Sequence, residues 1–314
     1  MKKKLFTASV LLLMLICLCT CGSKNSNKSK QDVDHAIAEL KTVFINGDSI
    51  NYLDIGKGEP VVFVHGTVGD YRVWGAQMDT FATSHRVIAY SRRYAYPNKQ
   101  IINDSADYSA VPHAKDLAEL IKTLDLGPVH LVGHSYGALT SLLTTIEYPE
   151  LIRSVTLGEP PVFSMLKNVS GGDTLGNNFF AQTMIPAAEA FKENNDEKAV
   201  IKFIGAVLGD SLFYSKAPRQ VQDMMMQNTL ELRGFALSSE TISAINHDDL
   251  KEITIPVLLL TGDRSPLIFT SIINEIDSLL TNNEFVTLPN SSHGLELDNP
   301  LEFNKIVLEF INKH

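Results

Sequence analysis

A serine with glycines two residues before and two after it, Gly133-His134-Ser135-Tyr136-Gly137, follows the apolar run Val129-His130-Leu131-Val132 and leads directly into a helical stretch. Strand, sharp turn and helix in that order expose a serine hydroxyl at a strained bend, and glycines at those two positions avoid clashes that side chains would make there. A serine hydroxyl is a weak nucleophile. It needs an imidazole as base, and the imidazole needs a carboxylate to hold its tautomer and stabilise the imidazolium. Asp263 stands at the end of Ile255-Pro256-Val257-Leu258-Leu259-Leu260-Thr261-Gly262, the carboxyl end of a buried strand, where open α/β sheets place their sites. Two of the nine histidines follow it, His314 at the terminus and His293 in Asn290-Ser291-Ser292-His293-Gly294. Ser135, His293 and Asp263 are therefore the expected nucleophile, base and acid.

The elements that must position them form an α/β pattern. Thr42 to Ile45 and Ile50 to Leu53 flank Asn46-Gly47, a dipeptide suited to a tight hairpin turn. Short apolar runs then recur at Val61 to Val64, Val87 to Ala89, Val129 to Val132, Ser154 to Leu157, Val257 to Leu260 and Phe285 to Leu288. Continuous rather than alternating apolarity suits strands of a parallel sheet covered by helices on both faces. Leu117, Leu120, Ile121 and Leu124 share one helical face before Gly127-Pro128, and Leu139, Leu142, Leu143 and Ile146 repeat the pattern before Tyr148-Pro149. Residues 161–250 break the rhythm with helix-like stretches and no convincing strand, which predicts a helical cap inserted into a core of residues 41–160 and 251–314.

In the order nucleophile, acid, histidine, the chain resembles the α/β-hydrolase superfamily over about residues 42–313. The resemblance rests on His65-Gly66, the serine elbow, Thr261-Gly262-Asp263 and Ser292-His293-Gly294. It implies an oxyanion hole from the backbone amides of Thr67 and Tyr136, donors fixed before charge develops. Some relatives carry the acid after the strand that follows the elbow helix, which here is Glu159; Asp263 is the expected one. Trp74 and Phe163 are expected to line the substrate pocket, and Met224, Met225 and Met226 fit either an adaptable apolar face of the cap or an ordinary core or surface helix. His65 and His134 are expected to serve the geometry of their turns, and Arg92-Arg93 to be a solvated pair. The implied activity is cleavage of a carboxylic ester of a small or medium apolar acid through an acyl-enzyme. The same three residues also serve carbon-carbon bond hydrolysis, thioester cleavage, acyl transfer and perhydrolysis, and a surface lipoprotein that only binds a ligand is the alternative from another class.

Two further blocks, Gly47-Asp48-Ser49-Ile50 and Gly209-Asp210-Ser211-Leu212, look like the nucleophile motif of another serine-esterase family. The late histidine lacks the D-x-x-H context that family requires, so the first reads as the hairpin turn and the second as part of the cap. The sequence contains no dinucleotide glycine pattern, no P-loop and no H-E-x-x-H, so neither a cofactor nor a metal is expected.

The N-terminal segment is an address. Lys2, Lys3 and Lys4 precede an apolar run from Leu5 to Leu18, shorter than a membrane span of about 20 residues, and the chain's three cysteines stand at its end, at 17, 19 and 21. Leu18-Cys19-Thr20-Cys21 resembles a bacterial lipobox, predicting a signal peptide over residues 1–20, a lipid-bearing Cys21 and a polar tether through residue 40, with a secreted protein as the alternative. The expected location is the outer side of the cell membrane, held by that lipid. Of 27 basic residues six lie in residues 1–31, leaving 21 against 36 acidic and a balance of −15 for the rest. Such a surface does not suit nucleic acid. The expected partners are a small acyl substrate and the membrane.

Overall fold

The computed structural model describes residues 39–101, 106–238 and 245–314. The expected signal, lipobox and most of the tether lie outside them. No helix among the described residues is long and apolar enough to cross a membrane.

Eight strands form one sheet among the described residues: β1 (Lys41–Ile45), β2 (Asp48–Gly56), β3 (Pro60–Val64), β4 (Arg86–Tyr90), β5 (Val129–His134), β6 (Ile152–Gly158), β7 (Val257–Gly262) and β8 (Asn283–Leu288). Their spatial order is β1-β2-β4-β3-β5-β6-β7-β8, with β2 antiparallel to both neighbours and every pair from β4 to β8 parallel. The hairpin turns at Asn46 and Gly47, both in the left-handed region at φ +47° and +87°.

Alternate residues of the central strands enter two different cores. Val62, Val64, Ile88, Leu131, Val155, Leu157 and Leu259 pack under α2 (Ala110–Thr123), α3 (Tyr136–Glu147) and α11 (Leu267–Leu279). Val61, Phe63, Val87, Val132, Leu258 and Leu260 pack on the other face under α1 (Gly75–Phe81) and α13 (Pro300–Ile311). Period-2 alternation with both sets apolar is why each run reads as continuous hydrophobicity. Trp74 belongs to the second core: it is fully buried and stacks on Phe63 with ring centroids 4.8 Å apart.

Between β6 and β7 the described residues hold helices and no strand: α4 (Gly172–Gln182), α5 (Met184–Lys192), α6 (Asp196–Val207), α7 (Phe213–Lys216), α8 (Arg219–Gln227), α9 (Thr229–Leu237) and α10 (His247–Lys251). They enclose a small core of their own around Ala187, Phe191, Val200, Met225 and Leu232. The short α12 (Leu295–Asp298) follows the histidine loop.

Candidate active site

The elbow is built by close backbone approach. Ser135 sits at φ +53°, ψ −123°, its N–H donating to the Gly158 carbonyl (2.7 Å) and its carbonyl accepting from Leu139 (3.0 Å). A Cβ on Gly133 would lie 2.6 Å from the Gly137 carbonyl oxygen, and one on Gly137 2.0 Å from that of Val64. Both glycines are thus required by the crossing of α3 over β3 and β5. The bend, made possible by the glycines two residues before and after it, leaves the Ser135 hydroxyl at the carboxyl end of β5, facing His293.

His293 Nε2 lies 3.0 Å from Ser135 Oγ, and its Nδ1 lies 2.5 Å from Glu159 Oε2. With the Nδ1–H donated to the carboxylate, Nε2 is left to accept the serine proton. The carboxylate that the structure brings to His293 thus follows β6, and the expected Asp263 after β7 is not brought to it. Glu159 follows the last residue of β6 at φ +48°, fully buried, and its other oxygen accepts from the Thr261 hydroxyl (2.6 Å) and the Gly262 N–H (3.0 Å).

Asp263, the expected acid, makes no hydrogen bond to His293. Its two oxygens accept from the Asn290 and Ser291 amides at 2.9 and 3.0 Å, and its side chain is 43 % exposed. It braces the loop that carries His293 from outside, as Asp298 does by accepting from the N–H and hydroxyl of Ser292. Those loop amides, with burial opposing them, hold the Asp263 carboxyl below its ordinary range.

Burial lowers the pKa of His293 below its usual 6.5, outweighing the Glu159 carboxylate that would raise it, which favours the neutral ring at pH 7. Burial pushes Glu159 up, and the hydrogen bond and charge of His293 bring it below the usual carboxylate value. Phe269 stacks on the imidazole at 3.8 Å between centroids and 17° between planes, fixing its orientation from the side.

Thr67 follows the His-Gly pair after β3, and Tyr136 opens α3 as its first residue, where a helix leaves its amides without intrahelical partners. Both residues line the space beside Ser135. Val68, β-branched and at φ +56°, strains the backbone next to Thr67, a feature that clusters at functional sites.

Three further side chains, His134, His65 and Arg92, support the site from around it. His134 faces acceptors at both ring nitrogens, the His293 carbonyl at 2.6 Å and Glu296 Oε1 at 3.1 Å. Burial opposes its charge, but the Glu296 carboxylate outweighs burial and raises its pKa. With an acceptor at each ring nitrogen, His134 ties the histidine loop to the elbow. His65 is held neutral: burial first, then the Arg92 charge, lower its pKa to about 3, with Nδ1 donating to Gly66 and Nε2 accepting from the Arg92 amide.

Arg92 is buried rather than solvated. It donates to the carbonyls of His65 (2.9 Å) and Gly66 (3.1 Å), forms a two-point ion pair with Glu231 of α9, and lies over the Tyr136 ring at 4.8 Å. Sequence reasoning missed it because the partner is 139 residues away. Arg93 pairs instead with Asp116 and Asp48.

Two cavities meet at Ser135. The first, about 80 Å³, includes His134, His293, Glu296, Met224 and Met225 in its lining; the second, about 50 Å³, is walled mainly by aromatic residues, Phe163 among them. Trp74 lines neither, its indole being spent in the core on the other face of the sheet. Among the described residues no group of three or more His, Cys, Asp or Glu side chains converges as metal ligands.

The family model for the alpha/beta hydrolase fold matches residues 59–300. The chain belongs to the alpha/beta hydrolase fold family. Among its relatives is Ethanol acetyltransferase 1 of Cyberlindnera jadinii, 24 % identical over 82 % of this chain and 80 % of that protein. Another is (E)-2-((N-methylformamido)methylene)succinate hydrolase of Acinetobacter baylyi, 22 % identical over 83 % and 93 %. Among solved structures, the carboxylesterase CesB of Bacillus subtilis superposes with a TM-score of 0.69 at 17 % identity, covering 88 % of this chain and 92 % of its own. The family thus spans hydrolysis and acyl transfer on one scaffold, and the distinction lies in the site.

Proposed function

We propose that the protein is a serine hydrolase that cleaves a carboxylic ester or a related acyl compound through an acyl-enzyme on Ser135. Ser135 Oγ attacks the carbonyl carbon as His293 Nε2 takes its proton. The tetrahedral oxyanion is met by the Thr67 and Tyr136 amides. The carbon-oxygen bond to the alcohol breaks, His293 returns the proton to the departing oxygen, and water repeats the sequence to release the acid. Glu159 holds the ring tautomer and stabilises the imidazolium. The observation that carries this reading is the unbroken chain Ser135 Oγ, His293, Glu159, with links of 3.0 and 2.5 Å.

A fluorophosphonate probe tests it. Wild-type protein is expected to be labelled at Ser135, and Ser135→Ala to lose at least about 10⁴-fold in ester turnover while keeping its fold. A folded wild-type protein that is neither labelled nor active refutes the reading and leaves the ligand-binding alternative. The proposal extends to location: the lipobox-like Cys21 would tether the enzyme to the outer face of the cell membrane, and radiolabelled palmitate incorporated by the wild type but not by Cys21→Ser would test that.

A further inference from the structure

The two cavities at Ser135 differ in one respect that gives them separate roles. Only the first is lined by His293, with Gly294 and His134 beside it; the second shares Thr67, Phe203 and Val207 with the first, its own wall includes Phe163, Phe180 and Phe235, and Phe269 covers the face of the imidazole. His293 must deliver its proton to the oxygen of the leaving alcohol, within hydrogen-bond reach of Nε2. The alcohol part must therefore leave on the His293 side.

Charge sets a second condition. Neither lining contains a lysine or an arginine. Arg92, behind Tyr136, is committed to Glu231 and to two main-chain carbonyls, and Glu296 brings a carboxylate to the first cavity. The one imidazole there besides His293, His134, has its two ring nitrogens engaged by the His293 carbonyl and the Glu296 carboxylate. A carboxylate on the substrate would be buried in either space without a free cationic partner.

Resting on the acyl-enzyme reading above, we propose that the aromatic cavity holds the acyl chain, the His293-side cavity holds the alkoxy group, and the substrate is an ester uncharged and apolar on both sides. Ser135 and the ester exchange to give acyl-Ser135 and the free alcohol, and water then gives the carboxylic acid and free Ser135.

The two steps separate the cavities experimentally, because the alcohol has left before deacylation. Two series are compared: p-nitrophenyl esters from acetate to octanoate, which vary the acyl chain, and alkyl acetates from ethyl to octyl, which vary the alkoxy group. Phe180→Ala should raise kcat/KM for octanoate relative to acetate at least about tenfold and leave the alkyl-acetate profile in place. Met224→Ala should shift the alkyl-acetate profile and leave the deacylation rate constant of acetyl-Ser135, read by mass spectrometry after mixing, within twofold of wild type.

Phe180→Leu and Met224→Val are the milder pair should either alanine variant fail to fold. On the wild type, the p-nitrophenyl ester of hemisuccinate should react at least about 100-fold more slowly than that of pentanoate. Exchanged effects of the two substitutions, or equal rates for hemisuccinate and pentanoate, overturn the proposal while acyl-Ser135 still forms. Absence of any Ser135 adduct, with activity retained in Ser135→Ala, overturns instead the reading on which it rests.

Discussion

Glu159→Gln and Asp263→Asn together decide which carboxylate serves His293. Glu159 uses both oxygens: Oε1 accepts from Thr261 Oγ1 at 2.6 Å and from the Gly262 N–H at 3.0 Å, while Oε2 faces His293 Nδ1 at 2.5 Å. A glutamine of the same shape has one carbonyl to place. Set in the Oε1 position, it satisfies both donors and turns its NH₂ toward Nδ1. His293 must then carry its proton on Nε2, aimed at Ser135, and can no longer act as a base.

Turned the other way, the carbonyl serves Nδ1 but the NH₂ meets the Gly262 N–H. A buried donor left unpaired costs about 1–3 kcal/mol, so the first arrangement prevails. A triad imidazole held in the wrong tautomer loses on the order of 10⁴ in kcat. At 1.36 kcal/mol per decade that is roughly 5.4 kcal/mol of transition-state stabilisation, with KM little changed. Asp263→Asn keeps one acceptor for the Asn290 and Ser291 amides at an exposed position where water can serve the other. Its activity should fall by less than about tenfold. The assay is kcat for p-nitrophenyl acetate on variants matched to wild type in circular dichroism and melting temperature. Collapse at Asp263→Asn with Glu159→Gln within tenfold of wild type would refute the assignment.

Because burial lowers the pKa of His293 and protonation removes the base, the acid limb of kcat/KM should have its midpoint below 6.5. A pH profile with that midpoint above 6.5 contradicts the buried, neutral ring. Gly137→Ala would place a Cβ 2.0 Å from the Val64 carbonyl, and since the obstacle is backbone the loss in urea unfolding should reach about 3 kcal/mol or more; a wild-type melting curve counts against the packing described. Glu231→Gln leaves the buried Arg92 without its charge partner and should cost about 3–5 kcal/mol by the same measurement. Burial raises the Glu231 carboxyl, but Arg92 outweighs it and holds it at about 2 against 4.5 in the ordinary state. That contribution is present above 4.5 and is lost as pH falls toward 2, so the gap between wild type and variant should narrow across that window. A constant gap would mean that the pair is not ionic.

The features legible in the sequence are those whose cause is local. Gly133 and Gly137 mark the tight turn from β5 into α3, and the strand runs are continuous because alternate residues feed two cores; both leave their mark within a dozen consecutive residues, even where the contact they meet, as Gly137 meets the Val64 carbonyl, lies far along the chain. The place of Trp74 is not legible, because a large aromatic after β3 can turn to either face of the sheet, and the choice depends on Phe303, 229 positions away, whose ring lies 6.2 Å from the indole. Arg92 reads as half of an exposed doublet until α9 brings Glu231 to it.

The acid was ambiguous for a subtler reason. Leu157-Gly158-Glu159 and Thr261-Gly262-Asp263 are the same local signal, glycine then carboxylate at the end of a buried strand, and β6 and β7 are neighbours, with Gly158 opposite Leu260. What separates them is reach and backbone direction. Glu159, turned by its positive φ and longer by one methylene, comes under the imidazole, whereas Asp263 stands one strand nearer to β8, from which the histidine loop emerges. At that distance a shorter carboxylate meets the loop amides before it meets the ring. The two acids divide what one motif suggested: one holds the tautomer of His293, the other the loop that carries it. A Glu159→Asp substitution follows directly from this division. Shortening the buried acid by one methylene withdraws it from Nδ1 while its charge stays, so kcat should fall well short of the Gln loss, by on the order of 10²-fold, as for a displacement of about 1 Å. A loss as deep as that of Glu159→Gln would show that position, and not tautomer, is what Glu159 supplies.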